Sequence, residues 1–483
     1  MKSLKILIIA GVFSIAACDT LEQLPVSIIS ESNFYQNESD AEAAILGVYD
    51  RLQGFISNNF IIPISARADE TDVIRGGNWT RDESFSTTSN DGHVRNTWDD
   101  LYAAIGRAND VLANVPGILD DNFTDEEKNK ILGEAYFIRG FAHFHLVIRF
   151  GKVPYISEAF ISPNQDYQPA RDDIATVYAN IIEDLKMAKQ LMPADPSLKV
   201  RANKWAAAGM LAKVYMQRNN TGDRDLALTE INEVLNSQGY SLLPSSNYSD
   251  LFRPDRQKTV ETIFELSYGP AGLDDAAFDN EFVSTQNFRL QPEMKIINAF
   301  KADSALVVES GKEEVRMAAA LEFYYPIFNE SGTCILACNP RNEYFIDKFT
   351  KDDWKKTSER AQLHPSVIIL RLADLILLKA EILNEKDDLA GARTLLNEIR
   401  ERVNLPETTA TNKDEMRLAI ENERYLELAF EGHRYWDLIR TNRAVEVIKN
   451  KGQFVPTQEK LLWPVPQADI DQNPNLLPQN QGY

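Results

Sequence analysis

Cysteine, histidine, basic charge and long apolar runs are all scarce in this chain. Three Cys in 483 residues cannot build a disulfide framework. Five His leave little material for metal catalysis. Lys and Arg number 51 against 72 Asp and Glu, a formal charge of −21. That balance excludes a protein that coats nucleic acid, because such affinity comes from bases neutralising phosphates. It also disfavours strongly anionic ligands, unless a local basic pocket takes them. The best internal candidate for a membrane span, Val367 to Leu378, is 12 residues long and contains Arg371 and Asp374, whereas a spanning helix needs about 20 apolar residues. The sequence has no Gly-rich phosphate loop, Gly-x-Ser-x-Gly elbow or His-Glu-x-x-His motif, which removes the chemistries those motifs serve.

What is present supports a large folded body. The chain is 44% hydrophobic and 10% aromatic, too apolar for global disorder. Its length predicts about three domains or one extended repeat domain. Lys2 and Lys5 precede a 12-residue apolar run, Ile6 to Ala17, the form of a secretory signal. The run ends Ile15-Ala16-Ala17-Cys18. Small residues directly before a Cys resemble a bacterial lipobox, so residues 1–17 read as a lipoprotein signal, Cys18 as the lipidated residue and 18–37 as a tether. Cys334 and Cys338 remain, as Cys-x-x-x-Cys. They read as a local disulfide or free thiols rather than a zinc site, which would need two more ligands.

Helical periodicity dominates the rest. Ser39-Asp40-Ala41-Glu42 has capping-box form and precedes Ile45, Val48, Tyr49 and Leu52 at helical spacing. Residues 57–96, rich in Gly, Asn, Ser, Thr and Asp, predict a long surface loop. Further helices are expected from Trp98 to Leu112, Thr124 to Phe150, Ile174 to Ala188, Asn203 to Gln217 and Asp225 to Asn236. Residues 240–366 lose the helical period and read as an irregular lobe with short strands such as Thr262–Ser267. Helices resume at Val367 and end before a Pro- and Asn-rich tail from Trp463 that predicts no helix. The regions are thus 38–239, 240–366 and 367–483. Ala142 and Ala212 sit in similar contexts 70 residues apart, about twice the 34-residue TPR period. The fold class expected is all-α, a superhelix of TPR-like helix pairs carrying a loop-rich lobe.

Few residues suggest chemistry. His143 and His145, two apart on a helix, point away from each other and read as packing residues. Asp69, Glu70 and Asp72, and again Asp274, Asp275 and Asp279, form acidic loops that suit solvation or a structural Ca²⁺. A glycosidase would need two carboxyls about 5–9.5 Å apart, and catalysis is not expected. Glu431, Arg434, Asp437 and Arg440 alternate in sign at i, i+3 spacing and read as an exposed ladder in which each pair contributes about 0.2–0.5 kcal/mol. The aromatic loops are the better ligand candidates. Trp79 and Trp98, with Asp69, Arg81 and Asn96, border the first loop, and Tyr324 and Tyr325 lie in the second lobe. Aromatic faces stack on the C–H faces of sugars while Asn, Asp and Arg read hydroxyls. An oligopeptide would use the same aromatics.

The C-terminal third resembles a known family. The run Glu423-Arg424-Tyr425-Leu426-Glu427-Leu428-Ala429-Phe430-Glu431-Gly432-His433-Arg434-Tyr435-Trp436-Asp437-Leu438-Ile439-Arg440 resembles the signature of the SusD/RagB family. So do Leu462-Trp463-Pro464-Val465-Pro466, Asn473-Pro474-Asn475-Leu476 and the ending Gln479-Asn480-Gln481-Gly482-Tyr483. Leu370-Arg371-Leu372-Ala373-Asp374 fits as well, and Cys18-Asp19 with Leu21 and Pro25 matches the lipidated start. The resemblance implies a TPR-like all-α fold and a lipoprotein on the outer face of the outer membrane. It implies a nutrient-binding lid on a SusC-like TonB-dependent transporter, with oligosaccharide as ligand, or oligopeptide as in RagB-like members. It implies no enzymatic activity and no cofactor. Family members place ligand aromatics in the first loop and the central lobe, where Trp79, Trp98, Tyr324 and Tyr325 stand. A scaffold that binds nothing itself, or a glycosidase, are the rival readings.

Overall fold

A computed structural model describes residues 34–74, 77–159, 167–253, 258–267, 290–323, 327–328, 334–336, 344–348, 366–449, 451 and 456–483. Cys18, Tyr324, Tyr325, Cys338 and the acidic run Asp274, Asp275 and Asp279 lie outside these residues. Helix α1 (Glu38–Phe55) is capped by the Asn37 side chain, which accepts the N–H of Asp40. The cap therefore falls two residues before the Ser39 expected from the sequence. After a π-type turn at Ile56–Phe60 come α2 (Ile62–Arg67), strand β1 (Thr71–Val73), α3 (Asn78–Glu83) and α4 (Gly92–Asn114).

The long central helix α5 (Asp125–Phe150) opens with the capping box read from the sequence: Thr124 and Glu127 each satisfy the other's backbone N–H. Two orphan donors at the N-terminus are thereby paired. From Ala135 onward almost every residue of α5 is buried. Helix α6 (Ile174–Leu191) packs along it, and α4 packs on its other side. A Cβ on Gly140 would stand 3.1 Å from Leu185 Cγ, so the close approach of α5 and α6 depends on that glycine. Helices α7 (Lys204–Arg218) and α8 (Asp223–Leu235) form the next pair, and α7 also contacts α6.

The lobe follows. Strand β2 (Thr262–Leu266) pairs antiparallel with β8 (Val367–Arg371), Thr262 opposite Arg371. Strand β3 (Leu290–Pro292) pairs antiparallel with β1, Thr71 opposite Pro292. Short strands β4 (Leu321–Phe323), β5 (Ile327–Phe328), β6 (Cys334–Leu336) and β7 (Tyr344–Ile346) make two further ribbons, β4 with β7 and β5 with β6. Residues 240–366 also contain α9 (Met294–Glu309) and the short α10 (Arg316–Ala320), which the loss of period there did not predict.

Val367–Arg371 is a strand, not the start of a helix. Its β-branched run feeds directly into α11 (Leu372–Glu385). Helices α12 (Leu389–Arg402) and α13 (Lys413–Glu427) pack on α11, and α11 contacts α8. Helix-on-helix contacts run from α1 through α4 to α8 and on to α11, α12 and α13, the all-α TPR-like architecture expected, with the lobe inserted between α8 and α11. Two short helices, α14 (Arg434–Arg440) and α15 (Ala444–Ile448), follow. The tail departs from expectation by forming a six-residue helix, α16 (Gln467–Gln472), started by Pro466 just ahead of it.

One apolar core runs through α1, α4, α5, α6 and α7 to the tail, where Trp463 is buried. A second cluster lies among α11, α12 and α13. His143 and His145 are packing residues. The His143 ring stacks on Tyr155 at 4.1 Å and bonds the carbonyl of Arg139 and the N–H of Ile156. Burial pushes its pKa down to about 3, so it is neutral.

Candidate functional site

The first loop is where the structure departs most from the sequence reading. Residues 57–96 are not a surface loop: most fold into α2, β1, α3 and the start of α4 and pack inward. Gly77, at φ 123°, makes a turn that L side chains rarely adopt and leads into α3. Trp79, expected exposed, retains 7% of its accessible surface. It stands edge-on to His93 at 5.3 Å, and His93 stands edge-on to Trp463 at 5.4 Å. Asp82 holds this cluster together. It accepts from Arg67 Nε at 3.1 Å and lies 2.8 Å from His93 Nε2. Burial pushes the Asp82 carboxyl up, but His93 and Arg67 outweigh burial and hold it below the usual range. Arg67 reaches on to the carbonyl of Leu461 and the hydroxyl of Tyr435, and covers the Phe85 ring at 4.9 Å.

The other residues of the predicted site separate. Asp69 is 1% exposed. It accepts two hydrogen bonds from Arg434, at 2.7 and 3.1 Å, and pairs with Lys295. Burial raises its pKa, but the two cations hold it below the ordinary value. Trp98, expected as a ligand aromatic, is 5% exposed and edge-on to Phe150 at 5.0 Å, a core position on α4. Arg81 is half-buried and bonds Asp91 and Asn78. Asn96 is exposed on α4. Asp69, Trp79 and Trp98 are therefore framework. Their alternation with Gly and Asn imitated a binding loop, although the chain buries them between α2, α4 and the tail.

Beside them lies a polar rim where β1 meets β3, and β3 directly follows residues 268–289. Glu70 accepts from the Ser65 hydroxyl at 2.8 Å and from the N–H of Phe430 at 2.9 Å. Burial dominates and raises its pKa to about 7. Glu293 is raised to about 7 by burial and by Asp72. Farther along, Lys301 lies 5.0 Å over the Tyr344 ring. Asp69 and Glu70 face different partners, and no group of three His, Cys, Asp or Glu fit to hold a metal exists among the described residues.

The signature segment is buried rather than an exposed ladder. Of its expected i, i+3 pairs, Asp437 with Arg440 forms, at 2.8 Å. The other charges reach across to different elements. Glu431 takes Arg371 at 2.8 Å and Lys348 at 2.7 Å, Arg434 takes Asp69, and Arg440 grips Glu381 through both terminal nitrogens. Arg371 also bonds Glu261 and Glu427. Helical spacing finds neighbours on one surface; it does not reveal that the surface is covered.

Two cavities flank α14. One, of about 60 Å³, is lined by Phe60, Phe141, Met210 and Trp436 among others, too small for a sugar ring. The other, an open cleft of about 260 Å³, lies among α7, α8, α11, α13 and α14 and is dominated by Arg side chains. Sequence reasoning missed this cleft. Its only trace was the recurrence of Arg between 417 and 443.

The framework and its helix stack match known proteins. Residues 309–483 match the model of the SusD family, and residues 32–216 match that of a SusD-like family described as starch-binding, associating with the outer membrane. Together the two matches span most of the chain, which belongs to the SusD/RagB family. A SusD-like protein of Formosa agariphila is 29% identical over 98% of each chain. Another, of Bacteroides ovatus, is 25% identical over 91% of this chain and 82% of its own. Among solved structures, a SusD superfamily protein of Bacteroides vulgatus superposes with a TM-score of 0.79 at 22% identity, covering 93% of this chain and 100% of its own. A laminarin-binding SusD-like protein superposes with a TM-score of 0.76 at 24% identity, covering 93% and 100%.

Proposed function

We propose that this protein is a non-catalytic lipoprotein of the outer membrane, anchored through Cys18, that captures an oligosaccharide outside the cell and delivers it to a SusC-like TonB-dependent transporter. The observation that carries this reading is the end-to-end similarity to SusD-like proteins, one of them laminarin-binding, together with a family description that joins starch binding to the outer membrane. No helix among the described residues is long and apolar enough to cross a membrane, which agrees with attachment by lipid. No cofactor is invoked.

With Trp79 and Trp98 in the framework, the stacking platforms of this reading are Tyr324 and Tyr325. Borrowing the scale of base–aromatic stacking, each is expected to contribute about 1–3 kcal/mol. The test is a calorimetric panel on residues 19–483 with neutral glycans, acidic glycans and oligopeptides. A glycan signal weakened at least about tenfold by the double substitution Tyr324→Ala, Tyr325→Ala supports the reading. Trp79→Ala, in contrast, is expected to lower the melting temperature and to leave the affinity of the folded fraction intact. Peptide binding would replace glycan as the ligand class, and product formed from a polysaccharide by the purified protein would overturn the non-catalytic assignment.

A further inference from the structure

The Arg-lined cleft has a chemistry unlike the rest of this acidic molecule. Six Arg line it against four acids, Glu381, Glu385, Glu421 and Asp437, in a chain whose formal charge is −21. Three of the six are fully engaged. Arg417 bonds Glu385 and Asp414, Arg424 bonds Asp374 and Asp437, and Arg440 bonds Glu381 and Asp437. Arg434 is engaged as well, bonding Asp69 and sharing Glu421 with Arg443, at 3.3 and 3.0 Å. Arg443 and Arg224 are the less committed cations. The Nε of Arg443 is buried with no hydrogen-bond partner; Glu446 lies 3.9 Å from it. Arg224 is exposed at the start of α8 and makes no ion pair with any described residue. Two amides, Asn219 and Asn442, complete the wall. Both residues sit in left-handed turns, at φ 52° and 58°, and neither side chain has a hydrogen bond with a described residue.

Spare guanidinium donors suit carboxylate and sulfate oxygens, which they grip with two parallel bonds. Uncommitted amides suit hydroxyl groups, since each offers both a donor and an acceptor. At about 260 Å³ the cleft is near the lower end of small-molecule sites, which run from about 300 to 1,000 Å³. We propose that it is a second binding site, for a hydroxylated oxyanion the size of one acidic sugar, with Arg224 and Arg443 holding the anionic group and Asn219 and Asn442 reading hydroxyls. This goes beyond capture at Tyr324 and Tyr325, and it stands or falls independently of that reading.

The test titrates residues 19–483 with glucuronate, glucose 6-sulfate and glucose at low ionic strength. Binding of either anionic sugar, with glucose silent, is expected; which of them binds distinguishes carboxylate from sulfate. Arg224→Gln and Arg443→Gln are each expected to weaken that binding at least about tenfold. Arg95→Gln, on the exposed face of α4, and the Tyr324→Ala, Tyr325→Ala protein are expected to leave it unchanged. Arg224 has no ion-pair partner among the described residues, so an unaltered melting temperature for its variant keeps the result interpretable if Arg443→Gln unfolds. Silence from both anionic sugars, equal binding of glucose, or full affinity in Arg224→Gln overturns the proposal. Failure of neutral glycans to bind anywhere would instead count against the capture reading alone.

Discussion

Two arginines of the core are buried in opposite ways. Arg371 sits among carboxylates, bonding Glu261, Glu427 and Glu431 at 2.8–3.0 Å. Burial pulls its pKa down, but the surrounding acids outweigh that and push it well above the ordinary value. Arg149 bonds no carboxylate among the described residues. Its guanidinium meets His145 Nδ1 at 2.8 Å and the carbonyls of Asn59 and Phe60 at 3.4 Å. It lies 5.0–6.0 Å from the rings of Phe55, Trp436 and Trp463. Burial alone pushes its pKa down to about 9. One cation is held by countercharge and the other by π faces and carbonyl dipoles. Removing the cation from the first arrangement leaves carboxylates short of a countercharge in the core; removing it from the second leaves no carboxylate behind.

That difference predicts unequal mutational costs. Arg371→Met takes from Glu261, Glu427 and Glu431 the cation they share, and removing one partner of a buried pair costs about 3–5 kcal/mol, read by urea unfolding. Glu70 tests the middle of the range, because it too is buried against neutral partners. Its folded pKa of about 7 lies above the ordinary 4.5, so between those values the folded chain holds a proton that the unfolded chain has released. Stability from this group therefore falls as pH rises through that window. Glu70→Gln is expected to stabilise the protein by about 1–3 kcal/mol at pH 8 and to change little at pH 4. A flat difference across pH would show that Glu70 stays ionised. The smallest effect is expected from Arg149→Met, about 1–2 kcal/mol, since weak neutral hydrogen bonds are lost while a desolvated charge is removed. If Arg149→Met cost as much as Arg371→Met, the contrast between the two sites would collapse.

The helix stack was legible because its signals are local. Thr124 with Glu127, the apolar stripes of α4 and α6, and the Ala-rich α7 each announce themselves within a few residues. The core of the lobe scaffold was partly legible, as the strand from Thr262 shows. The candidate site was not. Trp79 and Asp69 look like loop residues because Gly77 and Asn78 stand near them, yet Asp69 is held by Arg434, 365 residues on, and the His93 ring against Trp79 packs in turn on Trp463. Burial supplied by so distant a segment leaves no local periodicity. The same holds for the signature segment: its spacing was read correctly as architecture, but the partners Arg371, Glu381 and Asp69 all come from elsewhere in the chain. The cleft was invisible for a third reason, because Arg224 and Arg443 come to line one cleft only through tertiary packing, α14 against α7 among it.

Trp463 has a consequence for how the molecule is made. Its N–H donates to the carbonyl of Arg149 at 2.7 Å, and its ring covers Arg149 and Arg67. Asn480 bonds the carbonyls of Phe150 and Trp463. A chain synthesised N-terminus first therefore presents α1 to α7 with the Arg67 and Arg149 pockets still roofless. Residues from Leu461 to Asn480 close them. Chains cut short near the C-terminus should be recognised by proteases as unfinished across the whole N-terminal half, so that proteolytic quality control would in effect inspect the end of the chain before accepting its beginning.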